Sequence, residues 1–211
     1  MKKILLLATL LGTSVLSVAP VASADDFDGF WDKDRFQIRA RAIGIFADGD
    51  GTVTPGGAKT NVTDAATPEV DLTYFVNKNV ALELIAATAK HKVEAGGGEL
   101  GKTWILPPTL TLQYHFTPEK KFSPYVGAGL NYSIFYGEDG TGATADLDIG
   151  NSVGYALQAG FDYWFDDKWG VNADLKYIDI NADVSVAGGT VNARDVGIDP
   201  IIAGVGISYR F

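Results

Sequence analysis

The sequence contains no cysteine, one methionine and only two histidines, His91 and His115. The first absence excludes disulfide staples and thiol chemistry, so packing and hydrogen bonds alone must hold the fold. Basic residues are also scarce: 17 Lys and Arg stand against 26 Asp and Glu, a net charge of −9. A chain this acidic repels nucleic acid, and no nucleic-acid partner is expected. Beyond residue 24, no apolar run approaches the ~18 residues that mark a membrane-spanning helix.

What is present starts with an export signal. Lys2 and Lys3 precede an apolar run from Ile4 to Leu11, and Ala22-Ser23-Ala24 forms a small-x-small cleavage site before Asp25 and Asp26. This is the pattern of a secretory signal peptide. The expected division is a signal peptide over residues 1–24 and one domain over 25–211. Losing Lys2 and Lys3 takes the net charge from −9 to −11.

The remaining chain combines 46 % apolar residues with a mean hydropathy of only +0.07. Period-2 alternation reconciles the two. In Arg35–Phe46, Phe36, Ile38, Ala40 and Ala42 share one face, opposite Gln37, Arg39 and Arg41. Similar runs cover 69–76, 80–88, 102–116, 124–136, 152–164, 169–179 and 201–211. Short turns near 77, 119 and 166 alternate with long Gly-, Asp- and Thr-rich connections at 47–68, 89–101, 137–151 and 181–199. Eight alternating strands with connections of alternating length predict an all-β fold. The form expected is a transmembrane antiparallel up-and-down barrel with short periplasmic turns and long extracellular loops. Its apolar faces look at lipid and its other faces at a lumen. A soluble β-sandwich is the competing fold, because period alone does not say which face is outside.

The last residues, Tyr209-Arg210-Phe211 with Gly206 upstream, resemble the signal read by the outer-membrane insertion machinery. An ordered set of segments makes the chain similar to the outer membrane protein W (OmpW) family: Arg41-Ala42-Ile43-Gly44, Leu72-Thr73-Tyr74, Ala81-Leu82-Glu83-Leu84, Leu106-Pro107-Pro108-Thr109-Leu110, Pro124-Tyr125-Val126-Gly127-Ala128-Gly129, Gln158-Ala159-Gly160 and Asp199-Pro200. The resemblance implies an eight-stranded barrel in the outer membrane of a Gram-negative bacterium. It also implies a narrow, largely apolar channel for passive uptake of small hydrophobic molecules, by analogy with alkane-uptake members. Alternatives carried by the same resemblance are a structural barrel and a receptor for phage or bacteriocin, with links to stress responses. Expected partners are outer-membrane lipid and lipopolysaccharide, the insertion machinery and small hydrophobic solutes.

With both termini periplasmic, inward residues sort by depth. Arg39, Arg41, Glu83, Gln113, His115, Asp162, Asp174, Lys176 and Arg210 fall toward the periplasm, and opposite charges in a narrow lumen pair to avoid unpaired burial. Ile43, Ile45, Ile105, Phe135, Ile178 and Ile180 fall toward the outside as an apolar funnel. Such a plug would stop a solute from passing straight through. Pro107 and Pro108, which remove ladder donors inside a strand, are the expected wall defect for a sideways exit into lipid. Trp104, Tyr136, Trp164, Trp169 and Phe211 are read as markers of the two membrane interfaces.

Other motifs carry less. Gly96–Thr103 fits G-x-x-x-x-G-K-[ST], but Trp104-Ile105-Leu106-Pro107-Pro108 follows it, and that segment cannot open the helix a phosphate loop requires. Asp48-Gly49-Asp50-Gly51 is half a calcium loop, lacking the fifth-position ligand and the terminal glutamate. A hydrolase or acyltransferase barrel would use His with Ser or Asp. His91 has no obvious nucleophile nearby, and His115 belongs with the plug. No catalytic residue, metal or cofactor is expected.

Overall fold

The computed structural model describes residues 32–47, 51–52, 59–95, 98–140, 148–186 and 191–211. The signal peptide, its cleavage site and most of Asp48–Gly51 lie outside these residues.

Eight antiparallel strands close on themselves: β1 (Phe36–Phe46), β2 (Ala65–Phe75), β3 (Val80–Ala87), β4 (Thr109–His115), β5 (Phe122–Gly140), β6 (Ser152–Trp164), β7 (Trp169–Ile178) and β8 (Ile201–Arg210). Each pairs with the next, and β8 pairs with β1 from Gln37↔Arg210 to Phe46↔Ile201. Closure leaves no sheet edge, the condition a strand fold must meet in hydrocarbon. Two-fold alternation then sends one set of side chains out and the other in. Leu84, Leu110, Leu130, Val153 and Val205 are exposed on the outer surface, whereas Gln37, Thr73, Glu83, Thr111 and His115 are fully buried. A sandwich would bury the opposite set. Gly206 shows how tightly the wall is drawn, because a Cβ there would run into the backbone of Ala40 and Arg41.

Turn chemistry closes the periplasmic end. Asn77 accepts from the amides of Asn79 (2.9 Å) and Val80 (2.8 Å), and Asp166 from those of Lys168 (2.8 Å) and Trp169 (2.7 Å). Those two amide bonds hold the exposed Asp166 carboxyl below the usual carboxylate range.

The long connections are more ordered than their composition suggests. Ala89–Ala95 pairs with Gly98–Leu106, which pairs with the upper part of β5, while Asn181–Val186 pairs with Val191–Gly197. Within the segments read as loops at 89–101 and 181–199, these described stretches are therefore strands. Gly101, Lys102 and Thr103 of the phosphate-loop-like motif sit in one of them.

The Lys102–Phe116 run is not one strand. It breaks at Pro107-Pro108 into Gly98–Leu106 and β4. Toward β5 the break is bridged, since Tyr132 N donates to Pro108 O (3.0 Å) and Asn131 Nδ2 to Pro107 O (3.2 Å). On the other side, the ladder stops at Ile85↔Thr109 and resumes at Ala89↔Ile105. Ala86–Thr88 and Leu106–Pro108 face each other without a pair.

Candidate functional site

Along three strands, β1, β3 and β7, the lumen changes character in a single inward step. On β1 the order from the periplasm is Gln37, Arg39, Arg41, then Ile43 and Ile45. On β3 Glu83 is followed by Ile85, and on β7 Asp174 and Lys176 are followed by Ile178. On these strands a charged layer meets an apolar one.

The charged layer centres on Arg39. Its guanidinium reaches Asp162 (3.1 and 2.9 Å), Glu83 (3.2 Å), Asp71 (3.3 Å) and the Thr73 hydroxyl (2.8 Å). Arg41 Nη2 pairs with Asp71 (2.5 Å) and Glu83 (3.2 Å), and its Nε lies 2.8 Å from Glu69 Oε1. Asp162 also accepts from Ser208 (2.6 Å) and Asn172 (3.1 Å), and Asp174 from Tyr125 OH and Gln158, both at 2.9 Å. His115 contacts Gln113 Oε1 (3.1 Å) and Ser123 Oγ (3.5 Å). Every sequence-predicted plug residue is in this layer except Arg210. That residue spans the periplasmic mouth, stacked 3.9 Å over the Trp164 ring and donating to Pro118 O (3.1 Å).

Trp164 corrects the reading of it as an interface marker. It is 5 % exposed and faces inward, on the same side of β6 as Asp162. Its parity along the strand already placed it there. Trp104 and Tyr136 do face outward and stack on each other, with ring centroids 6.4 Å apart. Trp169, Tyr209 and Phe211 form an outward aromatic run at the opposite end, with centroids 4.7 and 5.2 Å apart.

Above the charges lies a narrow, partly open apolar cavity. Ile43, Ile45, Ile105, Ile178 and Ile180 line it. Phe135 belongs to the same apolar cluster without lining the space. Ile85, Ile198, Pro200 and Ile202 line it too and escaped the sequence reading. The floor is polar, formed by Glu69, Lys176 and Thr109. Pro107 is part of the wall, so the unpaired stretch between Ala86–Thr88 and Leu106–Pro108 borders the cavity.

His91, read as a residue at a loop edge, is instead buried in the cavity wall near its mouth, with Nδ1 2.9 Å from Thr63 O. Outward-facing neighbours on this strand, Thr88, Lys90 and Lys92, are polar and exposed, which puts His91 above the hydrocarbon. Burial pushes its pKa below the ordinary imidazole value. Glu69, Asp71 and Tyr125 are further buried polar members of the lumen missed as plug residues. Their inward parity was legible, but their partners were not: Asp71 meets Arg39 and Arg41 of the neighbouring β1, Glu69 meets Lys176 of β7, and Tyr125 meets Asp174 of β7.

Comparison with known proteins agrees with this architecture. The model of the OmpW family matches residues 32–211. The chain is 44 % identical over 184 residues to outer-membrane protein y4mB of Sinorhizobium fredii, covering 83 % of this chain and 80 % of that one. It is 40 % identical over 154 residues to outer membrane protein W of Vibrio cholerae, covering 66 % and 71 %. The crystal structure of OprG from Pseudomonas aeruginosa superposes with a TM-score of 0.79 at 28 % identity, covering 83 % of this chain and 95 % of that one. A closed eight-stranded barrel with an apolar exterior, matched along its described length, is an outer-membrane protein of a Gram-negative bacterium, and the chain belongs to the OmpW family.

Proposed function

We propose that the barrel is a passive uptake channel for small hydrophobic molecules, which enter the apolar cavity from outside and leave sideways into the membrane. The observation that carries this reading is the meeting of three features. The cavity is walled by isoleucine, its floor is sealed by buried ion pairs, and its side wall contains the unpaired stretch at Pro107-Pro108. An apolar solute gains roughly 25 cal/mol per Å² by leaving water for such a wall. Moving on through the charged layer would cost it that gain and would also require breaking buried ion pairs. The side wall offers the path of least electrostatic resistance.

We read the protein as non-enzymatic. Ser123 and His115 approach to 3.5 Å, but both are fully buried within the plug, where no substrate reaches them. The same reading assigns the Tyr209-Arg210-Phe211 end with Gly206 to recognition by the insertion machinery, and the outer surface to lipid and lipopolysaccharide.

The test is uptake of a hydrophobic probe by cells carrying wild type or the Pro107→Ala/Pro108→Ala variant, at matched levels of folded barrel. Restored amide donors let the ladder close, so uptake slows. Unchanged uptake removes the prolines from the route. Equal uptake with and without the barrel refutes transport and leaves a structural or receptor role.

A further inference from the structure

The cavity floor is not inert. Glu69 is 3 % exposed and uses one oxygen twice: Oε1 takes Lys176 Nζ at 2.7 Å and lies 2.8 Å from Arg41 Nε. Its Oε2 has no hydrogen-bond partner among the described residues, and it is absent from the set of fully occluded unpaired atoms. It is therefore open to the cavity that Glu69 lines. Lys176 complements it. An ammonium has three N–H donors; one bonds Glu69 Oε1, while Asp174 Oδ1, 3.0 Å from Nζ, is an ion-pair contact without a hydrogen bond, so donor capacity remains. The third floor residue is satisfied, because Thr109 Oγ1 donates to Pro107 O (2.9 Å) and accepts from Asn131 Nδ2 (2.8 Å).

An apolar cavity thus ends on a free acceptor, Glu69 Oε2, beside a cation with donor capacity to spare, Lys176 Nζ. From this geometry we propose that the preferred solutes are amphipathic: an aliphatic chain ending in a neutral group that both donates and accepts a hydrogen bond, of which a primary alcohol is the simplest. The chain fills the isoleucine cavity. The hydroxyl donates to Glu69 Oε2 and accepts from Lys176 Nζ. Either ionised head would face a like charge beside its opposite, a carboxylate against Glu69 and an ammonium against Lys176, so neither gains an unopposed ion pair as a neutral head gains two hydrogen bonds. This inference deepens the uptake reading and rests on the same cavity.

The test compares octan-1-ol with 1-methoxyheptane, which has the same number of heavy atoms and accepts but cannot donate. Binding to the folded barrel in phosphocholine nanodiscs is followed by NMR titration of the isoleucine methyls and corrected for lipid partition. A hydrogen bond to a charged group corresponds to roughly tenfold or more in affinity, so octan-1-ol binds about that much tighter to wild type. In Glu69→Gln, the amide oxygen stays with Arg41 and Lys176, and the NH₂ turns to the cavity. The floor acceptor becomes a donor, and the alcohol's advantage disappears. Equal affinities in wild type, no binding of either probe, or an advantage that survives Glu69→Gln each overturn the proposal. Should Glu69→Gln not fold, the wild-type comparison still decides. Octane uptake by cells is measured alongside. Its loss would remove the transport reading while leaving the head-group comparison standing, and its persistence with equal probe affinities would do the reverse.

Discussion

Replacing Arg39 with Met tests whether the charged layer holds the lumen together. The side chain has no exposure and touches three carboxylates, Asp71, Glu83 and Asp162. Among the described residues the central layer already holds five acids (Glu69, Asp71, Glu83, Asp162 and Asp174) against three bases (Arg39, Arg41 and Lys176). Met restores the volume but leaves five against two. Removing one member of a buried ion pair costs about 3–5 kcal/mol, because the remaining charge is stranded. Asp162→Asn is milder: Arg39 keeps two carboxylates, and Ser208 and Asn172 can still bond the amide oxygen. The two changes together cost less than their sum, since each removes the charge that the other strands. The expected coupling is at least about 1 kcal/mol, against a scatter near 0.5 for independent sites. Urea titration of the barrel in phospholipid vesicles, with the slope checked for constancy, measures all four states of the cycle. The weakened plug also admits water and ions, so Arg39→Met channels in planar bilayers conduct, and they prefer cations because acids dominate the lumen. Additive costs, or a single-variant loss under about 1 kcal/mol, would show that the ion pairs are screened by water and do not form the plug.

Gly206→Val forces a side chain into the Ala40 and Arg41 backbone at the β8–β1 seam. A loss of about 1–3 kcal/mol is expected, read as a smaller fraction of the fast-migrating folded form on unheated gels, both in cells and after refolding into detergent. A defect confined to cells would assign Gly206 to recognition by the insertion machinery. For His91, a pKa lowered by burial means that the unfolded chain binds the extra proton first. The stability tied to the neutral ring is complete above the ordinary value of about 6.5 and is lost as pH falls through the lower folded value. The wild type should therefore lose more stability than His91→Leu below pH 6.5, in urea titrations run in parallel, and identical pH profiles would contradict the burial of His91.

Barrel topology was legible because alternation is local. Arg39 and Ile43 declare their side of the wall from β1 alone, and fixing the termini at the periplasmic end orders them by depth. Partnerships across the lumen were not legible. Glu69 meets Lys176, 107 residues away, only after closure fixes the stagger of every strand between them. The upper wall at 89–106 was hidden for a different reason. Its Gly- and Lys-rich composition reads as loop, although Ala89–Ala95 and Gly98–Leu106 pair as strands. At Trp164 the residue type was allowed to outweigh the position: tryptophan suggests an interface, but its parity with Asp162 sends it inward, beneath Arg210.

The charged plug and the broken ladder follow from one constraint. A barrel of eight strands has a lumen just wide enough to be filled by side chains. Filling the lower half with ion pairs gives the buried inward charges opposite charges as partners, but it closes the axial path to any solute that cannot pay for separating charge. A solute that has entered the isoleucine cavity can then move on only through the wall. In hydrocarbon an unpaired backbone amide costs several kcal/mol, so a gap in the ladder is tolerated best where there is no amide to strand. Pro107 and Pro108 lack that donor, and the Pro107 and Pro108 carbonyls are taken by Thr109, Asn131 and Tyr132. Thr88 O on the opposite side is taken by Thr67 Oγ1 at 2.7 Å. The two lips of the gap are thus largely satisfied without each other, and that lowers the cost of parting them.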